Sequence, residues 1–271
     1  MNTSQGKIVR SKTVVIAVAV VAVGAVAVVA YEHGGTRDSS SGSTTSATPD
    51  RTGETGDGFG TPVTDVYGRR VDVPRADAGQ PLPQTDAPIG ESDPLWLTAA
   101  PSGMNGRGGW QRVHGASVPF STSDGPARIV NGMAAGYAHT PRGGALAAVY
   151  ITHQLAVRPA DPAVVARVNY SPEGVNLYRE RVAAGKLPMQ QPEEVTRWIT
   201  APDAYQIVSW SPDLCVLTVA TRRKMGTPAQ APTWTAARYS VVWTGGDWNL
   251  LPNSEIGGPR EISSILGWTP W

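Results

Sequence analysis

The longest hydrophobic run comes first. Thr13 to Ala30, TVVIAVAVVAVGAVAVVA, is 18 residues without a charge, almost all Val and Ala. At about 1.5 Å per residue it reaches roughly 27 Å, close to a bilayer hydrocarbon core. Buried soluble helices are rarely apolar on every side, so residues 13–30 are expected to form a transmembrane helix. Lys7, Arg10 and Lys12 precede the run and no basic residue closely follows it. Residues 1–12 are therefore expected to be a cytoplasmic stub. Val28 and Ala30 before Tyr31 also fit a signal-peptidase site. The apolar run exceeds the usual signal core of about 7–15 residues, which favours an uncleaved anchor. No cysteine stands directly after it, which excludes a lipoprotein.

Beyond the anchor the hydrophobic pattern stops. Residues 31–62 are Gly, Ser, Thr and charged residues with almost nothing apolar. Such a segment cannot bury enough surface to offset ordering and is expected to be a disordered linker. Thirty residues of this kind reach roughly 30 Å on average. Residues 63–136 are expected to form an extended, loop-rich segment that wraps the core. VTDVYGRRVDVP alternates briefly, as a strand or an extended clasp does. AGQPLPQTDAPIG is Pro-rich and extended. Trp96, Trp110 and Phe120 are expected to be buried anchors of the wrapping loops.

Helical signals follow in residues 137–271. Thr140-Pro141 sets an N-cap before an N1 proline and opens RGGALAAVYITHQLA. Gly143, Gly144, Ala145, Ala147 and Ala148 let this helix approach a neighbour closely. Asp161-Pro162 opens AVVARVNY. Ser171-Pro172 opens EGVNLYRERVAAG, with Gly185 as the stop. Gln191-Pro192 opens EEVTRWIT less clearly. Alternation then takes over. Residues 205–211 and 214–222 read as a hairpin, and 233–244 with WNLL as another, turning at Gly245-Gly246-Asp247. Tyr205, Ile207 and Ser209 are expected on one face, with Gln206, Val208 and Trp210 on the other. Tyr239, Val241 and Trp243 share a face opposite Ser240 and Val242. Residues 252–271 are expected to cover a sheet edge. Helices followed by antiparallel strands predict an α+β fold with a curved sheet around the helices.

Charge sharpens these boundaries. Residues 1–30 carry a net +3, residues 31–93 a net −6 and residues 94–271 a net +4, within an overall +1. That balance argues against a basic nucleic-acid binder. All nine Trp follow residue 94, which confines the aromatic core material to the C-terminal region. A single cysteine excludes an internal disulfide framework and any multi-Cys metal site.

Candidate chemistry is sparse. His33, His114, His139 and His153 have no metal-ligand spacing, and His139 reads as a structural or surface side chain. Ser121, Ser123 and Asp124 in FSTSDGP are most simply a turn made by local bonding, and no G-x-S-x-G elbow accompanies them. Ser4 to Lys7 matches S-x-x-K by chance. Gly185-Lys186-Leu187 is not a P-loop, so an ATPase is not expected. Asp203, Tyr205, Tyr150 and Tyr178 are the residue types an isomerase or hydrolase cone would use, yet nothing singles out one carboxylate. Cys215 is expected to be buried and inert. Arg222-Arg223-Lys224 reads as a solvated turn, and Gly24 in the anchor lacks a G-x-x-x-G partner. No catalytic, cofactor-binding or metal-ligating residue is assigned, and no cofactor is expected.

The Pro-capped helices and the final hairpin VVWTGGDWNLLP resemble the NTF2-like fold, also called cystatin-like, over roughly residues 137–252. SVPFSTSDGP, GYAHTPRGGALAAV and GGDWNLLP, behind an anchor and a Ser/Thr linker, resemble an actinobacterial family of single-pass membrane proteins associated with conjugative elements. The layout is similar to that of assembly factors of type IV secretion and conjugation channels. The resemblance implies a non-catalytic, extracytoplasmic, protein-binding component, with other envelope proteins as partners and no direct nucleic-acid contact. The alternative is a tethered small-ligand-binding or enzymatic domain at the cell envelope. A purely structural envelope protein and self-association both stay open.

Overall fold

The computed structural model describes residues 58–223, 231–252 and 258–271. The expected stub, transmembrane helix and most of the linker lie outside the described residues. No helix among the described residues is long and apolar enough to cross a membrane.

The fold is α+β and centres on one helix, α1 (Pro141–Val157). Thr140 is its N-cap: the hydroxyl accepts from the Gly143 amide at 3.0 Å, and Pro141 follows in the first turn. Every residue of α1 is buried except His153 and Leu155, which are half-buried, His153 with its ring packed inward against the Ser117 carbonyl and its edge reaching the surface. The helix has no polar stripe to expose, which is how a helix covered on all sides reads.

One side of α1 lies on a six-stranded antiparallel sheet. Its strands are β7 (Ala204–Ser211), β8 (Leu214–Arg222), β9 (Trp234–Thr244), β10 (Asp247–Leu251), β11 (Arg260–Ile262) and β12 (Thr269–Pro270). The order is β10-β9-β8-β7-β12. β9 pairs with β8 along one edge, and its other edge is shared by β10 and β11. The C-terminal tail does cover an edge, since Thr269 and Pro270 pair with Tyr205 and Ala204. Helix and sheet meet closely at Gly144, where an added Cβ would lie 3.0 Å from the Cβ of Cys215. The small residues of α1 serve this approach.

The opposite side of α1 is covered by the hairpins β3–β4 (Trp110–Val113 and Ala116–Pro119) and β5–β6 (Arg128–Val130 and Met133–Ala135). Gln154 Nε2 donates to the Val113 carbonyl, and the Ala134 amide donates to the Tyr150 hydroxyl. One hydrophobic core runs from Met104 to Trp271, so the wrapping segment supplies core as well as cover. Phe120 is fully buried, edge-on to Tyr150, whereas Trp96 and Trp110 are half-buried.

The other predicted helices are smaller. Asp161 caps α2 (Pro162–Val165) and Ser171 caps α3 (Pro172–Ala183), as their sequences predict. α2 and α4 (Glu193–Thr196) are single turns, shorter than the patterns AVVARVNY and EEVTRWIT suggest. α3 buries only Gly174 and stops before Gly185, whose φ is +65°. A hairpin of β1 (Val63–Thr64) and β2 (Arg70–Val71) fulfils the clasp expected in VTDVYGRRV.

The predicted faces of β7 need one correction. A bulge lies between Ile207 and Ser209, so Ile207 pairs with Leu217 but Trp210 pairs with Cys215. The extra residue shifts the alternation by one. Val208 and Ser209 are both exposed, and Trp210 rejoins the inner face of Tyr205 and Ile207.

Candidate functional site

The hairpin turns at 212–213 and 245–246, the start of α1 and the loop at 91–97 converge at one end of the sheet. The foundation of this end is polar and buried. Ser121, Ser123 and Asp124 do bond locally, with the Ser123 and Asp124 amides donating to the Ser121 hydroxyl at 3.0 and 3.2 Å. They are nonetheless almost fully inaccessible, so FSTSDGP is an internal turn rather than a surface one. Asp124 is its keystone. It accepts from the Ser123 hydroxyl at 2.5 Å and the Thr140 hydroxyl at 2.7 Å, and lies 3.2 Å from the Arg142 guanidinium. A carboxylate at the first turn of α1 also suits the helix dipole. Arg142 Nε and Nη2 make no hydrogen bond. With its lone pairs engaged, Asp124 locks loop to helix, and among the described residues no histidine bonds Ser121 or Ser123.

Above this foundation lies a chain of aromatic rings. His139 stacks on Trp243, with centroids 4.1 Å apart and planes 11° from parallel. Trp248 touches both from below, at 5.6 and 5.2 Å. Trp210 lies 5.4 Å from Trp248, and Trp96 stands edge-on to Trp210 at 5.7 Å. Trp248 is fully buried and donates Nε1–H to the Ala138 carbonyl at 3.0 Å. Trp96, Trp210 and Trp243 are half-buried and His139 is exposed. His139 Nε2 donates to the Pro212 carbonyl, which joins the helix start to the β7–β8 turn. Leu95 and Leu97, 55% and 42% exposed, extend the apolar surface along the loop.

The bulge in β7 makes this cluster possible. Strict alternation would put Trp210 on the outer face, away from Trp248. The sequence therefore contains the rings but does not show that they meet. The one local signal is the run of small and Pro residues around them, in ESDPLWL and WSPDL.

The remaining candidates have structural settings. Asp203 belongs to a clasp at the far end of the sheet: it accepts from Arg69 Nη1 at 2.7 Å, Arg222 Nε at 2.9 Å and Trp234 Nε1 at 2.6 Å. Tyr67 Oη donates to the Arg222 carbonyl, so the β1–β2 hairpin is tied there. Arg222 and Arg223 are thus not a free basic patch: Arg223 pairs with Glu261, and Lys224 lies outside the described residues. Tyr205 donates to the Ala99 carbonyl, and burial raises its pKa. Tyr178 donates to the Ala160 carbonyl. Among the described residues, the Asp203 carboxylate accepts from Arg69, Arg222 and Trp234 and from none of these tyrosines.

His153 Nδ1 donates to the Ser117 carbonyl, and burial lowers its pKa to about 4. Burial pushes the Cys215 thiol up to about 12, consistent with an inert core cysteine. His114 occupies the β3–β4 turn at a φ of 51°. His33, Gly24 and the Ser4–Lys7 match lie outside the described residues. No three His, Cys, Asp or Glu side chains among the described residues are grouped to hold a metal.

The described residues thus form an antiparallel sheet packed on one buried helix, with a cluster of aromatic rings at one end. A family model described as a domain of unknown function, DUF8175, matches residues 72–270. That is most of the chain, and the protein belongs to this family. No curated protein and no solved structure matches the chain.

Proposed function

We propose that this protein is a non-catalytic, membrane-anchored extracytoplasmic component that binds other envelope proteins during assembly of a conjugation or type IV secretion-like system. The observation that carries the reading is the aromatic end. Trp is enriched at the energetic centres of protein interfaces, and here three half-buried Trp lie together beside the exposed Leu95 and Leu97.

The second support is the use of the sheet's inner face. We read the domain as NTF2-like from its order of helix and antiparallel strands and its terminal Gly-Gly-Asp hairpin. In that reading the inner face is where a ligand cone would open. Here α1 lies directly on it, with Gly144 against Cys215 and Val241. This favours scaffolding over a small-molecule pocket. The anchor and linker expected in residues 13–62 would hold the domain outside the membrane.

Crosslinking in native membranes, followed by recovery of the tagged full chain, tests the reading. The expected result is co-recovery of channel subunits including an ATPase, and loss of DNA transfer when the gene is removed. Recovery of self-crosslinks alone, with transfer unchanged, contradicts it.

A further inference from the structure

Resting on the docking role proposed above, we infer that the occupant of the aromatic end is an aliphatic protein segment bearing Lys or Arg. The argument starts from charge. The four segments that build this end, residues 91–97, 136–140, 209–215 and 243–249, contain no Lys and no Arg. The guanidiniums that reach them from other elements lie elsewhere: Arg142 beside Asp124, Arg167 beside Asp247 and the Trp248 carbonyl, and Arg128 against Gly136. They do contain Glu91, Asp93 and Asp213, all exposed. None of these three acids forms an ion pair among the described residues. Asp93 accepts the Leu95 amide and Asp213 accepts the Ser211 hydroxyl, so local bonds orient both carboxylates without neutralising them. Asp213 is also fixed beside the rings, because its carbonyl accepts the Trp243 amide at 2.9 Å.

Indole faces attract cations through their quadrupole, and nearby carboxylates add to that attraction. A Lys or Arg laid across Trp243 or Trp210 meets both at once. The apolar part of the occupant follows from Leu95 and Leu97, which project from the loop beside Trp96. A sugar chain would need hydrogen-bonding side chains where these leucines stand. An anionic lipid surface would be repelled by the three acids. A protein segment alternating aliphatic and basic residues satisfies every feature.

Among the described residues, Trp96, Trp210 and Trp243 keep part of their surface open to solvent and His139 is exposed. The clasp that holds the N-terminal hairpin is at the opposite end of β9, whose nine steps from Trp234 to Trp243 span roughly 30 Å. The chain's own N-terminal hairpin therefore does not cover the rings.

The test uses the full chain in a non-ionic detergent and a set of synthetic amphipathic peptides. They share the same Leu and Val positions and carry Lys, Gln or Glu at the polar ones. Binding is read by anisotropy of a labelled peptide. The Lys peptide is expected to bind roughly tenfold more tightly than the Gln peptide, with the Glu peptide weakest. Joint Asp93→Asn and Asp213→Asn substitution, at exposed positions that do not threaten folding, should reduce that preference severalfold and leave the Gln peptide unaffected. Trp210→Ala should weaken every peptide. Equal binding of all three peptides with sensitivity to Trp210→Ala overturns the basic occupant but leaves the docking surface standing. Binding insensitive to Trp210→Ala, or no binding at all, overturns both. In cells, a photoreactive residue at Leu95 should capture a peptide rich in Lys or Arg. Capture of an acidic peptide, a glycan, a lipid or a second copy of this chain overturns the inference.

Discussion

The two ends of the sheet start from similar material, tryptophan beside acid, and complete it differently. At the clasp end Trp234 donates to Asp203, and the same carboxylate accepts Arg69 and Arg222. Arg69 also bonds Asp65 and the Ala201 carbonyl. Each charge finds its counterpart within the chain, and the result is closure of an N-terminal hairpin onto the domain. At the aromatic end Trp210, Trp243 and Trp96 find ring neighbours, while the exposed Asp93 and Asp213 form no ion pair among the described residues. An end whose polar groups are internally matched gains little from another chain. An end with half-buried rings and acids that form no ion pair among the described residues is the one that the proposed docking role would use.

The largest effect that sharpens this contrast lies beneath the aromatic end. Asp124→Ala strands the buried Arg142 charge and removes the partner of the Thr140 cap. It should cost about 3–5 kcal/mol in urea unfolding. Asp124→Asn, which keeps part of the hydrogen bonding, should cost less. A change below about 1 kcal/mol would mean that the network is not the foundation of this end.

Acid gives the next effect and acts on neither end directly. Burial holds His153 neutral, at about 4 against its ordinary 6.5. The unfolded chain therefore binds the extra proton first. The contribution is fully present above pH 6.5 and is lost as pH falls toward 4, by at most about 3 kcal/mol. His153→Asn, whose amide can still donate to the Ser117 carbonyl, should flatten the urea midpoint between about pH 7 and pH 4.5. An unchanged acid slope in that variant would assign the loss to other groups.

Trp210→Ala removes a half-buried ring. It should cost about 1–2 kcal/mol of stability but at least about 2 kcal/mol of partner binding, near thirtyfold. The comparison breaks if the stability loss exceeds the binding loss. Asp203→Ala is the smallest, about 1–2 kcal/mol after allowing for the partial exposure of Arg69 and Arg222. Its signature is local: amide exchange should quicken across Val63–Val71 and stay slow in α1.

The element types were legible wherever local chemistry dictates them. Thr140-Pro141, Asp161-Pro162 and Ser171-Pro172 each start a helix because a side-chain cap and a fixed φ act within four residues. The Gly245-Gly246 turn is likewise local, both glycines having positive φ. What escaped depends on contacts between distant segments. The bulge after Ile207 has no local marker, so alternation assigns Trp210 to the wrong face. Ser121, Ser123 and Asp124 have the composition of a surface turn, and only Arg142 and Thr140 on α1 make them a buried keystone. The lengths of α2 and α4 fell short because neither packs an apolar face long enough to sustain further turns. The candidate site was legible only in part, since nothing in the sequence brings Trp96, Trp210, Trp243 and His139 together.

The most direct test sets the two ends against each other in one experiment. Membranes carrying the full chain, Trp210→Ala or Asp203→Ala, at matched levels, are crosslinked in parallel and their bound proteins compared. Partners recovered with the unmodified chain should be lost with Trp210→Ala and retained with Asp203→Ala. Retention with Trp210→Ala, or equal loss from both variants, would contradict the assignment of the aromatic end as the docking surface.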